Sequence, residues 1–220
     1  MIATTLLSFF LFSPRDESAK QAFLTAMESY SKLDSVSLEI QHENSSGLFS
    51  GNYHQELVFK KGKGFKLVVT GLKGANRPEN VAPDYYCDGV DVTTKGRSEG
   101  KRPLNTDPNT MPGYEVSGGL IMTWLLNSST KNFFAKPPED FDVDMSWGKR
   151  TTWHDEKVAE IVMIVKMGTN KSELNLFLDS DKKRLVGNEW NREGKNGWML
   201  YTKQKDNPRV GSNDFKSPIK

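Results

Sequence analysis

The sequence predicts an α+β protein: an antiparallel meander that closes into a barrel or forms one strongly curved sheet, with helices packed on its concave face. Three observations predict it. Apolar residues recur at period two through most of the 220-residue chain, the pattern of half-buried strands. Turn residues separate these runs at hairpin spacing, as in a meander that curls on itself. Helical periodicity is confined to the start and the middle, so helices and sheet form separate layers.

The first helix is expected over residues 16–31, where Phe23, Ala26, Met27 and Tyr30 recur at i, i+3, i+4 and i+7. Asp34 and Ser35 end it. Val36, Leu38 and Ile40 then alternate with Ser37, Glu39 and Gln41. A turn at Asn44-Ser45-Ser46-Gly47 leads to a strand carrying Leu57 and Phe59. After Lys61-Gly62-Lys63-Gly64, Phe65, Leu67 and Val69 share the next strand's parity. Residues 85–94 read as a hairpin turning at Asp88-Gly89. Residues 96–113 are rich in glycine, proline and asparagine and read as a long loop. Gly118-Gly119 is expected to open a second helix over residues 120–126, with Ile121, Trp124 and Leu125 on one side. Residues 132–139, with Pro137-Pro138, read as a connection. From Phe141 onward the pattern is all strand: Phe141, Val143 and Met145; then residues 157–167, 173–178, 184–191 and 197–205. No linker or internal repeat divides the chain.

Composition excludes several functions. Lys and Arg number 30 against 28 Asp and Glu, a net charge of +2, without the basic excess of a nucleic-acid binder. One cysteine, Cys87, leaves no internal disulfide framework and no thiolate-rich metal site. The sequence carries three histidines, His42, His54 and His154. Glu139, Asp140, Asp142 and Asp144 fail the calcium-loop spacing, because Met145 and Thr151 stand where a glycine and a carboxylate are needed. The wet face of a strand accounts for them better. His154-Asp155-Glu156 reads as a turn between Trp153 and Val158. His42 and His54 flank one hairpin, and spacing alone does not fix whether they face each other. No nucleophile elbow, phosphate loop or zinc-helix motif occurs. The reading is therefore of a protein that is not an enzyme, with no catalytic residue, metal or cofactor.

Residues 1–12 (M-I-A-T-T-L-L-S-F-F-L-F) are apolar and shorter than the roughly 20 residues that span a bilayer. Their length matches the core of a secretion signal, although no basic residue precedes them and Ser13-Pro14 stands in for a small-residue cleavage site. The other reading is an apolar lead into the first helix. The expected division is residues 1–13 as leader and 14–220 as one domain, periplasmic or secreted, with no second hydrophobic anchor.

Leu57, Phe59, Phe65, Leu67 and Val69 share one parity. They read either as ordinary core or as the lining of an apolar cavity, since a wide curved sheet with two short helices is hard to fill.

The order of motifs adds to this. An N-terminal helix leads to a hairpin and F-K-K-G-K-G-F-K-L-V-V at residues 59–69. C-D-G follows at 87–89, then a central helix. L-F-L-D-S-D stands at 176–181, E-G at 193–194, N-P at 207–208 and D-F-K-S-P at 214–218. The chain resembles the LolA-like superfamily, periplasmic carriers of outer-membrane lipoproteins and their relatives, from about Asp16 onward. The resemblance implies an unclosed barrel with helices as a lid over a hydrophobic cavity. Lys60-Lys61 takes the family's basic pair. Lys61 falls where carriers have the arginine that holds the lid, Phe65 at the cavity-lining Phe and Leu67 at the next inward position. Gly62 replaces the family's proline, and lysine at 61 lacks the planar donor fork of arginine.

The implied function is a non-enzymatic carrier holding lipid or lipoprotein acyl chains. Its ligand-binding residues would be Leu57, Phe59, Phe65, Leu67, Val69, Ile121, Trp124 and Leu125, with Lys61 as gate. Its partners would be a lipid or acylated lipoprotein and membrane-associated donor and acceptor proteins, with no nucleic acid; the protein would be a monomer. The alternative is a sensory or regulatory lipid-binding module that contacts a protein partner.

Overall fold

The computed structural model describes residues 17–45, 51–73, 83–96, 99–105, 113–126, 128–179, 181, 184–192 and 194–217. The apolar run at residues 1–12 lies outside them.

Helix α1 (Glu17–Ser31) buries Ala19, Phe23, Ala26, Met27 and Tyr30 along one stripe, as its periodicity dictates. The chain then enters the middle of the sheet. Strands β1 (Ser35–Asn44), β2 (Gly51–Lys60), β3 (Gly64–Lys73), β4 (Asp84–Cys87), β5 (Asp91–Lys95) and β6 (Gly100–Pro103) wind outward to one edge, each antiparallel to the last. Two helices follow, α2 (Gly113–Leu126) and α3 (Ser128–Ala135). The chain resumes at the opposite edge with β7 (Phe141–Trp147). A hairpin of β8 (Thr152–Trp153) and β9 (Glu156–Met167) comes next, then β10 (Asn170–Asp179), β11 (Arg184–Arg192) and β12 (Lys195–Asp206), which winds back to the centre beside β1. The result is a 12-stranded antiparallel sheet in the order β6-β5-β4-β3-β2-β1-β12-β11-β10-β9-β7, with β8 paired to β9 alone. The sheet does not close into a barrel.

The β1–β12 ladder is the seam between two locally wound halves, and polar groups clasp both its ends. The Asn207 side-chain oxygen accepts from the backbone N–H groups of Asp34 (2.8 Å) and Ser35 (3.2 Å), while the Asn207 N–H donates to the Ser35 carbonyl. Asn207 adopts a positive φ of 46°, a conformation that asparagine tolerates better than most residues. Beside this end, Arg184 of β11 forks onto Asp206 of β12 through its two terminal guanidinium nitrogens and so ties β11 to β12. At the far end the Ser45 N–H donates to the Asn196 carbonyl at 2.9 Å.

The strand predictions hold, as does the turn at Asp88-Gly89. There the Asp88 carboxylate accepts from the N–H groups of Val90 and Asp91. His154 and Asp155 form a two-residue turn with φ of 47° and 65°, the left-handed pair that matches strand twist. Three readings are corrected. Strand β6 lies inside the stretch read as loop; all its side chains are exposed, so it carries no apolar alternation. Helix α3 covers part of the stretch read as a connection. Gly118-Gly119 does not open α2, which starts at Gly113; it kinks the helix, with Gly119 at φ 67° and ψ −160°.

The kink has a packing cause. A Cβ on Gly119 would collide with the Tyr201 hydroxyl and the Met199 sulfur of β12. The backbone there also occupies a region essentially reserved for glycine. Gly119→Ala is expected to lower stability by roughly 2–5 kcal/mol, combining backbone strain and overpacking. Urea denaturation followed by circular dichroism reads the loss directly; an unchanged midpoint would mean that the kink is not fixed by this contact.

Candidate functional site: the concave interior

Inward parity along β1, β2 and β3 builds the interior in rows across the sheet. Val36 stands opposite Phe59, which stands opposite Phe65. In the next row Leu38 faces Leu57, which faces Leu67. All six are buried and belong to one cluster with α1, the Ile121, Met122 and Trp124 side chains of α2, Phe134 of α3, and inward residues of β7 and β9 to β12. Leu125 is half-buried against the same cluster. Val69 keeps the parity of Leu67 opposite Gln55, just before a bulge in the β2–β3 ladder, and is half-buried. Its neighbour Val68 is buried on the outer face, where the terminal 3-10 helix (Ser212–Phe215) packs against β3. The structure thus brings Leu57, Phe59, Phe65, Leu67, Ile121 and Trp124 into one apolar interior.

The helices are tied to one another and to the sheet by a few polar contacts. The Leu120 N–H donates to the Tyr201 hydroxyl at 3.1 Å, and that hydroxyl donates to the Asn188 side chain at 3.1 Å. Desolvation raises the Tyr201 phenol well above its ordinary pKa, so it stays neutral and can serve both bonds. The Trp124 indole N–H donates to Ser31 Oγ at 3.0 Å, and Lys131 Nζ donates to the same oxygen at 2.7 Å. Phe23 meets Phe134 edge-on at 5.1 Å and Trp124 at 6.2 Å. Edge-on aromatic pairs of this kind contribute about 0.5–1.5 kcal/mol beyond their burial.

Lys61 lies in the exposed β2–β3 turn, and its backbone N–H donates to the Asp34 carbonyl at 2.9 Å. Its neighbour Lys60 makes the side-chain contact, from Nζ to the Val210 carbonyl at 2.9 Å.

Grooves open at the rim of the interior. One of about 440 Å³ runs between α1 (Ser18, Gln21, Ala22, Thr25) and the β9–β10 edge (Ala159, Leu178, Asp179), beneath Trp147. Trp147 is 42% exposed, and its indole N–H donates to Ser18 Oγ at 2.8 Å. Leu178 lines this groove and also belongs to the core cluster, so the groove reaches the interior wall.

Inward parity also carries polar side chains that the pattern reading passed over. His42, Tyr53 and Gln55 stand on the inner face of β1 and β2, respectively 4%, 1% and 0% exposed. The register places His42 opposite Tyr53 and His54 opposite Gln41. His42 and His54 therefore point to opposite faces and form no pair. The available signal was a polar residue falling on an inward position, two places beyond Ile40 or before Leu57. Cys87 is buried; burial pushes its thiol pKa up, as an inert core thiol requires. Among the described residues, no group of three or more His, Cys, Asp or Glu is arranged to hold a metal.

The outer face of the second half carries its own small core. The β8–β9 hairpin folds back so that Trp153 stacks on Phe177 at 4.2 Å and 14°. A side chain at Gly187 would collide with Trp153, so the glycine admits the ring. The Trp153 indole donates to Glu189 at 2.6 Å, and Arg150 bridges Glu160 (2.6 Å) and Glu189 (2.8 Å) above Phe177. Burial works to raise the Glu160 carboxyl, but donation from Arg150 and the Lys149 backbone outweighs it and holds the pKa below the carboxylate norm.

Neither a family model nor a curated protein matches this sequence. Solved structures match it by fold. LprF from Mycobacterium bovis superposes with a TM-score of 0.56 at 10% identity, over 93% of this chain and 98% of its own. The Mycobacterium tuberculosis lipoprotein LppX gives 0.54 at 10% identity, over 90% of this chain and 99% of its own. A LolA superfamily protein from Nitrosomonas europaea gives 0.43 at 10% identity, over 90% and 97%. The fold is thus shared with LprF and LppX: an unclosed antiparallel sheet with helices over one face. No helix among the described residues is long and apolar enough to cross a membrane.

Burial lowers the His42 pKa from 6.5 to about 4. The unfolded chain therefore binds the proton first as pH falls, and stability is lost from about pH 6.5 down to about 4. The loss attributable to this group at pH 5 is about 2 kcal/mol. Tyr53 and Trp190 pack against the His42 ring at 4.5 and 5.7 Å, and neither titrates in that window. His42→Phe should flatten this part of the stability–pH curve, read by denaturation midpoints between pH 7 and pH 5. An unchanged slope would mean that His42 is not the group responsible.

Proposed function

We propose that this protein is a non-enzymatic carrier that takes up the acyl chains of a lipid or lipoprotein between its sheet and its helices, in the periplasm or outside the cell. One observation carries the reading. The apolar inner face of an unclosed sheet is covered by a separate helix layer, kinked at Gly119, so ligand can enter by moving a helix without breaking the strand ladders. Ladders hold a sheet by many cooperative bonds, whereas a hinged segment absorbs its change at a few backbone angles.

In this reading Leu57, Phe59, Phe65 and Leu67 form the floor, with Val69 at its margin, and Ile121, Trp124 and Leu125 form the roof. The α1–β9 groove beneath Trp147 supplies an apolar approach. An acyl chain gains about 0.8 kcal/mol per buried methylene, which offsets the apolar packing lost when the helix moves aside. Lys61, on the turn that touches the segment after α1, would steady that end of the helix layer. Membrane-associated donor and acceptor proteins are the partners such a carrier would need.

The test is native mass spectrometry of the purified protein. It should be joined to a titration with phospholipid in which Trp124 is the sole tryptophan. Co-purified lipid and a saturable change in Trp124 emission are expected. No bound lipid with a silent Trp124 would make α2 a fixed plug and end the carrier reading. Lys61→Ala is expected to speed release of a fluorescent lipid in stopped flow, and Lys61→Arg to leave it unchanged or slower.

A further inference from the structure

Among the described residues, five buried polar atoms on the inner face of β1 and β2 have no hydrogen-bond partner: Nδ1 and Nε2 of His42, the Tyr53 hydroxyl, and Nε2 and Oε1 of Gln55. They are contiguous. His42 and Tyr53 are a cross-strand pair with rings 4.5 Å apart, and Gln55 lies two residues along β2 on the same face, opposite Ile40. Native interiors rarely leave such atoms unpaired, and each instance needs a physical account.

Their position supplies one. Along β1 and β2 the inner face runs from Val36 and Phe59, through Leu38 and Leu57, to Ile40 and Gln55, and then to His42 and Tyr53. Four rows thus grade from wholly apolar to polar in one direction. Each row advances two residues, at about 3.3 Å per residue. The gradient is that of an amphipathic molecule lying along the strands.

We propose that His42, Tyr53 and Gln55 form the headgroup end of the ligand site, and that the ligand is an acyl lipid with a small uncharged head bearing hydroxyl, ester or amide groups. The proposal rests on the carrier reading and adds the ligand's class. Neutral imidazole offers one donor and one acceptor, the phenol one of each, and the amide two donors and two acceptor sites. The set therefore suits a head that both donates and accepts. A charged head does not fit. His42 stays neutral in this setting. The neighbouring Glu43 belongs to the outer face, where its carboxylate accepts from the Trp198 indole at 3.0 Å. None of the three side chains carries a charge, so this set offers a phosphate or free carboxylate no countercharge of its own.

The test is competition against a lipophilic dye, on the full chain, with two probes of matched tail: monoolein and n-heptadecane. The wild type is expected to hold monoolein about tenfold more tightly than the hydrocarbon, as a site built to hydrogen-bond its ligand should. Tyr53→Phe with Gln55→Met keeps volume and removes three of the unpaired atoms. That variant should lose the preference, keep its affinity for heptadecane and melt at a higher temperature. If the double variant does not fold, each single variant is judged the same way. Equal affinity of the wild type for both probes, or a preference that survives in the variants, overturns the proposal and makes these side chains hosts to ordered water only. If neither probe displaces the dye, the carrier reading fails and takes this one with it.

Discussion

An antiparallel sheet that curls without closing leaves its inner face as an apolar surface that it cannot cover by itself. Most of this structure answers that constraint. Helix α1 lays Phe23, Met27 and Tyr30 into the concavity, and α2 adds Ile121, Met122 and Trp124. Burying side chains of this size contributes about 1.5–3 kcal/mol each relative to exposure. The helices thus complete the core from another layer, joined to the sheet by packing and a few polar contacts instead of a ladder. This coverage is strongly favourable, yet it is held by side-chain packing and not by a strand ladder.

The outer and inner faces of the sheet divide the work. On the outside, Trp153, Phe177, Arg150, Glu160 and Glu189 interlock through stacking and charge-assisted bonds, which are stronger than neutral ones. On the inside of β1 and β2 the polar atoms of His42, Tyr53 and Gln55 lack such partners. The contrast is chemical: the same fold satisfies one buried polar group completely where the site is structural and leaves another set open where the face is concave.

Much of this was legible in the sequence. Period-two alternation placed β1, β2, β3 and the strands after Phe141, and the parity of Leu57, Phe59, Phe65 and Leu67 named the inner face correctly. What failed did so for physical reasons. Gly118-Gly119 reads as a helix start because glycine is poor inside helices, whereas Gly119 is needed where α2 presses against Tyr201. The segment S-S-T-K-N-F-F-A of α3 is short and polar, and its helicity follows from packing Phe133 and Phe134 against neighbours distant in sequence. Strand β6 has four exposed residues and pairs with β5 through its backbone ladder and the Lys101–Asp91 ion pair at 2.8 Å, with no apolar alternation to mark it. The polar end of the interior was hidden because register is set by tertiary pairing; until β1 is aligned with β2, His54 is as good a neighbour for His42 as Tyr53 is.

The β1–β12 seam has a consequence for the order in which the chain can be made. Its two strands stand near opposite ends of the sequence, so during synthesis the first half can wind from β1 to β6 while the inner edge of β1 has no mate. That edge presents unpaired backbone donors and acceptors until β12 leaves the ribosome. Long-range closure of this kind is slow compared with hairpin formation, and an unmated strand edge invites pairing with other chains. A nascent chain of this topology is therefore exposed to misassociation while every strand between β1 and β12 is being made, and the Asn207 clasp that ends the exposure forms only after β12.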